Sequence, residues 1–341
     1  MIFIACPAHF ATGGTELLHQ LYFELKKYTD RVKMYYLRVN DPQSPTADRF
    51  KKYQVEYTYE VTDESNSALI VPEVLTSMLR DFQHLKKYIW WLSVDNYKST
   101  IGQNHRNVRD FFGFTKKYLT DKELRKSIKK SKVDFNNAKF GHWCQSYYSI
   151  DFLDKMDVKN RSYLSDYIGD NFLNESYDTK QTRVNRVLYN PAKGIGFTRK
   201  LINSAPEIEF VPLKNLSQEA IIQLLKESKI YIDFGNHPGK DRFPREAAYM
   251  GCVILTGQRG AAKFDQDVPI PKNFKFPDRK REIPKIILSI KNIFENFNQE
   301  TEKFETYRNF ISQERTKFEE DVKAIWTQDL IKFGAEKHEA V

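Results

Sequence analysis

The residues best suited to chemistry lie in the stretch 237–262, which directly follows a short apolar run. This stretch combines Gly239 with the cations Lys240, Arg242 and Arg245. Glycine lets the backbone approach a ligand closely, and the N-terminus of a helix with cations beside it favours a phosphate. The pattern therefore predicts an anion-binding loop in which these four residues contact a phosphorylated ligand.

Regular elements are predicted on both sides of this loop. The run Ile230–Phe234 is rich in β-branched and aromatic residues and predicts a buried strand, and Cys252–Leu255 predicts another. Between them, Arg245–Met250 predicts a helix that Gly251 ends. Ligands of open α/β sheets bind at the carboxyl ends of strands, which is where this spacing places the loop.

Two further groups of polar residues accompany the loop. Glu246 falls in the first turn of the predicted helix, where it either complements the helix dipole or accepts hydrogen bonds from ribose or sugar hydroxyls. Gln258, Arg259 and Gly260 follow the second strand. They predict another strand-end loop, with backbone N–H groups available for a substrate anion.

A second constellation follows the first predicted strand, Met1–Cys6, and consists of His9, Gly13 and Gly14 before an amphipathic helix. The glycines permit a tight turn and close approach to a ligand, although their spacing is not that of a dinucleotide fingerprint. A simple strand-to-helix turn is the alternative. Histidine suits general-base catalysis near neutral pH, so His9 is a candidate base; a bond to the loop backbone is equally open.

Two single residues at strand ends are further candidates. Lys193 lies in the turn after the predicted strand Val184–Tyr189, beside a helix N-terminus, where a lysine suits a diphosphate. A solvated turn lysine is the alternative. Asp95 ends a strand of the first half and is a candidate for acceptor binding or for a base. Asp265 and Asp267 have a D-x-D spacing, but they lie beyond the last loop, so no metal site is predicted there.

The elements that must position these residues alternate between short apolar runs and helical segments, which predicts βαβ units and parallel sheets. The pattern restarts after a polar, linker-like stretch, 166–182. We therefore predict an α/β chain of two Rossmann-like domains, residues 1–165 and 166–300, with a helical segment, 301–341, after them. Strand-end sites of both domains are expected to face a cleft between them.

Length and composition agree with this organisation, since 341 residues with 40% hydrophobic content exceed what one core usually supports. The net charge of +9 is concentrated in 98–132, where eleven Lys or Arg residues accompany three acidic ones. A general nucleic-acid-binding surface is therefore not expected. The basic stretch also carries Phe111, Phe112 and Phe114, a composition that suits an anionic membrane surface, RNA or an ordinary solvated pair of helices.

The sequence constrains the cellular location of the protein only weakly. No run of about eighteen apolar residues is present, and the apolar start is too short for a signal peptide. Three widely separated cysteines suit a reducing cytoplasm. A cytoplasmic protein is expected, with a peripheral position on the inner face of the cell membrane as an option.

Three short motifs resemble those of the GT-B glycosyltransferases, specifically the retaining family 4 type of bacterial surface-polysaccharide pathways. EAAYMGCVIL from Glu246 is similar to the family's E-A-x-x-x-G-x-x-V-I signature, GGTE from Gly13 to its G-G-x-E motif, and Lys193-Gly194 to its K-G. The resemblance implies an N-terminal acceptor domain, a C-terminal nucleotide-sugar domain, independence of metal or other cofactors, and a last helix that crosses back to the first domain.

The resemblance also implies roles for individual residues. Glu246 would contact the ribose and Lys193 the diphosphate, whereas Pro238 and Leu188 replace the family's first glutamate and its arginine. We therefore expect Lys240, Arg242 and Arg245 to take over the phosphates. The implied activity is sugar transfer from a nucleotide sugar to a glycan or lipid-linked acceptor in cell-surface polysaccharide synthesis. A sugar-nucleotide epimerase and a non-catalytic membrane- or RNA-binding protein remain alternatives.

Overall fold

The computed structural model describes residues 1–39, 41–104, 108–135, 137, 139–175 and 182–334. The chain divides into two compact units, each with its own parallel sheet. The first unit consists of Met1–Asp166 together with the described residues from Lys317 onward. The second consists of Tyr167–Thr316.

The first unit is built on a seven-stranded sheet whose neighbouring strands are all parallel. Its strands are β1 (Ile2–Pro7), β2 (Val32–Leu37), β3 (Tyr57–Thr58), β4 (Ala68–Pro72), β5 (Lys86–Trp91), β6 (Phe140–Cys144) and β7 (Arg161–Tyr163). They lie in the order β3-β2-β1-β4-β5-β6-β7. The central strands β1 and β4 are buried almost throughout, because a parallel sheet covered on both faces needs continuous apolar strands.

Five helices of the first unit connect these strands. They are α1 (Gly13–Leu25), α2 (Val94–Thr100), α3 (Val108–Thr120), α4 (Lys122–Ser131) and α5 (Tyr147–Asp154). The first of them begins at Gly13, because Thr12 and Thr15 form a reciprocal capping box. A 3-10 helix, Glu73–Asp81, follows β4. The Asp63 carboxylate accepts hydrogen bonds from the three amides after residue 82, which holds the chain away from a further helical turn.

The second unit contains a four-stranded parallel sheet in the order β11-β10-β8-β9. Its strands are β8 (Val184–Tyr189), β9 (Glu209–Pro212), β10 (Ser228–Asp233) and β11 (Val253–Thr256). Its helices are α6 (Asp170–Leu173), α7 (Ile195–Ser204), α8 (Gln218–Glu227), α9 (Arg242–Tyr249), α10 (Ile283–Glu295) and α11 (Phe297–Glu302). The linker predicted over 166–182 is wrong in part, because Ile168 and Phe172 are buried in the core of this unit.

The last long helix, α12 (Glu305–Ile325), begins in the second unit and ends in the first. A π-helical turn, Trp326–Leu330, follows it and returns to the first sheet, where Asp329 accepts a hydrogen bond of 2.8 Å from the indole of Trp143. Within the described ranges, no helix combines the length and the apolar character that a bilayer crossing requires.

The strand order reverses once in each sheet, between β1 and β4 in the first and between β8 and β10 in the second. Such reversals open a crevice at the carboxyl ends of the strands, where open α/β sheets bind ligands. In the first sheet Glu73 follows β4 at this point, is 2% exposed, and accepts a hydrogen bond of 3.0 Å from the amide of Leu92. Burial raises the pKa of Glu73 to about 7. No motif marks this residue in the sequence, where its only signal is an acidic side chain directly after a fully apolar strand.

Glu73 makes stability depend on pH. Since its folded pKa is raised from 4.5 to about 7, its contribution is fully present below pH 4.5 and is lost as the pH rises through 7. We expect Glu73→Gln to match the wild type at pH 4.5. At pH 8 it should be more stable by on the order of 1–3 kcal/mol, because the amide needs no charge to be buried. Thermal unfolding midpoints at both pH values, with the exposed Glu60→Gln as control, measure the effect; equal differences at the two pH values would contradict it.

Candidate functional site

Three loops meet at the carboxyl edge of the second sheet. They follow β8, β10 and β11 and comprise residues 190–194, 234–241 and 257–260. Because these strands are parallel neighbours, their carboxyl ends lie along one edge, and the first two loops flank the crevice where the strand order reverses. The predicted candidates Lys193, Gly239, Lys240 and Arg259 all lie in these loops.

Two glycines allow the loops after β8 and β10 to touch. Gly194 has a positive φ of 57°, and a Cβ there would lie 2.5 Å from the backbone carbonyl of Phe234. A Cβ on Gly235 would lie 2.5 Å from the Cβ of Lys193. Glycine is required at both positions, and the lysine side chain lies against the backbone of the neighbouring loop.

The ammonium of Lys193 ends beside Asp241, the last residue before α9. Its Nζ is 2.6 Å from Oδ1 of Asp241, and the lysine side chain is 31% exposed whereas the aspartate is 13% exposed. Burial raises the pKa of Asp241, although the neighbouring ammonium opposes that shift. Sequence analysis identified the lysine but not this carboxylate.

The loop after β10 carries a buried histidine that lies between two aspartates. His237 has its Nδ1 3.4 Å from Oδ2 of Asp241 and its Nε2 3.7 Å from Oδ1 of Asp233. Asp233 ends β10 and also accepts a hydrogen bond of 2.9 Å from the amide of Gly235. Among the described residues these three side chains form a group whose ligand atoms are close enough to hold a metal ion. The Lys193 ammonium already supplies a positive charge to that group.

A second set of ion pairs anchors the loop after β10. Lys240 and Arg245 are both buried, and their side chains lie 2.9 Å and 2.7 Å from the two carboxylate oxygens of Glu314 on α12. Arg245 also donates to the carbonyl oxygens of Lys240 and Asp241. These two cations thus hold the loop, and a phosphate would have to draw them away from Glu314.

Helix α9 begins at Arg242, three residues before the predicted start, so Arg242 lies in its first turn and Glu246 lies one turn further. Asp241 adopts the extended conformation of a residue that precedes a helix, and Pro244 is tolerated in a first turn because no intrahelical donor is lost there. Arg242 Nε lies 3.5 Å from Oε1 of Glu246. The two predicted ligands are therefore neighbours.

The third loop is tied to the second by backbone contacts. Arg259 donates a hydrogen bond of 2.6 Å to the carbonyl oxygen of Phe234 and pairs with Asp278 at 2.5 Å, while half of its side chain stays exposed. Gly260 has a φ of 59°, and a Cβ there would lie 1.9 Å from the carbonyl oxygen of His237. Gln258 donates through its amide group to the carbonyl oxygen of Lys275.

The D-x-D carboxylates have separate environments. Asp265 is exposed and pairs with Lys275 at 2.9 Å, whereas Asp267 is buried. They are not part of the group of possible metal ligands found among the described residues.

The remaining predicted residues belong to the first unit. Gly13 and Gly14 form the first turn of α1. His9 has a positive φ of 61° and accepts a hydrogen bond of 3.4 Å from the amide of Asp41, which is the loop-backbone role left open by the sequence. Asp95 lies in the first turn of α2, beyond the end of the strand, and accepts a hydrogen bond of 2.7 Å from the hydroxyl of Tyr148.

Gly260 offers a test of the loop packing. We expect Gly260→Ala to destabilise the protein by about 2–4 kcal/mol, because the new methyl group meets a backbone oxygen in a backbone conformation that alanine rarely adopts. Gly196→Ala, on α7 with open space around it, should be neutral or slightly stabilising. Thermal unfolding of both variants checks this; an equally stable Gly260→Ala protein would refute the described contact.

Several solved structures of other proteins share this architecture. No protein-family model and no curated protein matches the sequence. Among solved structures, HepE from Anabaena in complex with UDP-glucose matches with a TM-score of 0.59 and 10% identity, over 96% of this chain and 99% of its own. Sucrose-phosphate synthase from Thermosynechococcus elongatus matches with a TM-score of 0.58 and 12% identity, over 96% and 98%. WaaG, a glycosyltransferase involved in lipopolysaccharide biosynthesis, matches with a TM-score of 0.56 and 10% identity, over 94% and 99%.

These neighbours are GT-B glycosyltransferases, and at such low identity the likeness concerns the fold. The predicted α/β class with two parallel sheets is confirmed, whereas membership of the family 4 type stays a prediction. The chain has the GT-B fold.

Proposed function

We propose that this protein is a glycosyltransferase that moves a sugar from a nucleotide-sugar donor to a glycan or lipid-linked acceptor in bacterial cell-surface polysaccharide synthesis. The observation that carries the proposal is the contact of two glycine-containing loops at the crevice of the second sheet, where the ammonium of Lys193 lies 2.6 Å from Asp241, the residue directly before Arg242. The fold likeness to HepE with UDP-glucose and to WaaG of lipopolysaccharide biosynthesis supports the donor class and the pathway.

In the proposed reaction an acceptor hydroxyl replaces the nucleoside diphosphate at the anomeric carbon of the sugar. Negative charge develops on the leaving diphosphate, and fixed cations and backbone N–H groups stabilise it. We assign this role to Lys193, Arg242 and Arg259, with the amides around Gly239 and Gly260. Lys240 and Arg245 support the loop through Glu314. Glu246, beside Arg242, is assigned to the ribose.

The acceptor is assigned to the first unit, where His9 and Asp95 follow strands at the carboxyl edge of its sheet. His9 is the candidate base if the reaction inverts the anomeric centre. Retention follows if the family 4 resemblance holds. The three cysteines are free and buried, in keeping with a reducing cytoplasm.

We further propose that donor binding needs no metal ion. The Lys193 ammonium lies against Asp241 and already balances the charge of that carboxylate. Asp233, His237 and Asp241 are the described ligands that a divalent ion would use if this proposal fails.

Donor binding can be measured without knowing the acceptor. Thermal-shift screening against UDP, GDP, ADP, CMP and TDP identifies the nucleotide, because a ligand specific for the native state raises its apparent stability. We expect Lys193→Met to weaken its binding at least 10-fold, since a hydrogen bond to a charged group contributes about 1.5–3 kcal/mol. Calorimetric titration of wild type, Lys193→Met and the exposed control Lys200→Met gives the dissociation constants.

Binding of the nucleotide should be the same in EDTA and in Mn²⁺. A dissociation constant that falls severalfold with Mn²⁺ would overturn metal independence, and equal binding by Lys193→Met would remove the donor site from this crevice. Turnover of the donor in the absence of any acceptor would favour the epimerase.

A peripheral membrane position is the last part of the proposal. Helices α3 and α4, here called the basic surface, expose Phe112 and Leu119 one above the other on α3, with 65% and 69% of each residue accessible. Lys129 and Lys130 are exposed on α4. Apolar side chains flanked by lysines suit insertion among anionic headgroups, where each basic residue adds about 1 kcal/mol.

We expect the wild type to co-sediment with vesicles of phosphatidylcholine and phosphatidylglycerol, and less so in high salt. Charge reversal of Lys129 and Lys130 together should weaken this at least 10-fold. Reversal of Lys155 and Lys159, exposed lysines outside the basic surface, should change it little. Unchanged vesicle binding by the first variant, or binding of RNA in place of vesicles, would end the membrane proposal.

A further inference from the structure

We propose that Asp241 positions Lys193 for the diphosphate of the donor. Its carboxylate would fix the lysine ammonium at the crevice of the second sheet before the donor arrives. This inference rests on the proposed donor site and assigns a role to a residue that neither the motifs nor the fold likeness pointed to.

The path of the lysine side chain is fixed at both ends. At its base Gly194 brings the loop after β8 into contact with Phe234, and the Cβ of Lys193 lies against Gly235. At its tip the ammonium is 2.6 Å from Oδ1 of Asp241. A free lysine side chain loses rotamer entropy when it is ordered, so an ammonium that is already ordered binds a phosphate at lower entropic cost.

Asp241 is itself held in place. It directly precedes α9, and the carbonyl oxygen of Asp241 accepts a hydrogen bond from the buried Arg245. The preceding residue, Lys240, is anchored on Glu314. The second carboxylate oxygen of Asp241 faces Nδ1 of the fully buried His237 at 3.4 Å. The backbone of Asp241 is therefore anchored, and its carboxylate lies between the ammonium of Lys193 and the imidazole of His237.

The charge of Asp241 and its proposed positioning role predict opposite effects of a substitution on donor binding. A carboxylate near a diphosphate repels it, so a neutral amide at position 241 should strengthen binding if Asp241 acted only through its charge. If Asp241 positions Lys193, the same substitution weakens binding, because a neutral amide oxygen holds the ammonium less firmly than a carboxylate does. The sign of the change in affinity thus separates a positioning residue from a bystander.

The experiment is a double-mutant cycle with the nucleoside diphosphate that binds the wild type and, as a base-free probe, inorganic pyrophosphate. Calorimetry on wild type, Asp241→Asn, Lys193→Met and the double variant gives four dissociation constants. We expect Asp241→Asn to raise the dissociation constant about 10-fold. The double variant should bind no more weakly than Lys193→Met, because both substitutions remove one interaction.

Thermal unfolding of each variant monitors folding, and Glu209→Gln, which breaks the ion pair with Arg186 in the same sheet, is the matched control with unchanged affinity. Unchanged or tighter binding by Asp241→Asn, or additive losses in the double variant, would overturn the positioning role while leaving the donor site intact. Normal binding by Lys193→Met, or failure of every nucleotide to bind the wild type, would refute the proposed donor site and the inference with it.

Discussion

The second unit depends on one constraint, which is the contact of two strand-end loops across the crevice of its sheet. Gly194 and Gly235 remove the side chains that would separate these loops, and the ion pair between Lys193 and Asp241 closes the contact. A parallel sheet delivers both loops to one edge, but it does not determine how closely they approach. The two glycines and the ion pair determine how closely the loops approach. They also determine where the ammonium of Lys193 lies.

The cations of these loops form two groups that differ in burial, a buried group here called the lower tier and a partly exposed group called the upper tier. In the lower tier Lys240 and Arg245 share the carboxylate of Glu314 and are almost inaccessible. Burying charges is costly unless partners and hydrogen bonds compensate, and loss of one partner leaves an uncompensated charge. In the upper tier Lys193 and Arg259 keep a third to a half of their side chains exposed. The lower tier therefore fixes the shape of the loop, whereas the upper tier is accessible to a ligand.

Much of this arrangement was predictable from the sequence, because local signals determine it. Apolar runs gave β8, β10 and β11, and their parallel order placed Lys193 and Arg259 at one sheet edge. The partner of Lys240 and Arg245 was not predictable, since Glu314 follows them by about seventy residues on another helix. The start of α9 was misplaced because Asp241 has no apolar neighbour pattern to mark it. For the same reason its carboxylate was overlooked, and only its contact with Lys193 shows its importance.

The pairing of cations also bears on how a ligand would be recognised. Lys193 has Asp241 beside it and Arg259 has Asp278, so a carboxylate balances each of these two cations. An isolated phosphate offers little advantage over these carboxylates. A diphosphate offers one charged group to each cation, and an ammonium or a guanidinium can bind such a group without leaving its carboxylate because each carries several N–H donors. Balanced cations on two separate loops thus favour an anion with two charged groups over one with a single group.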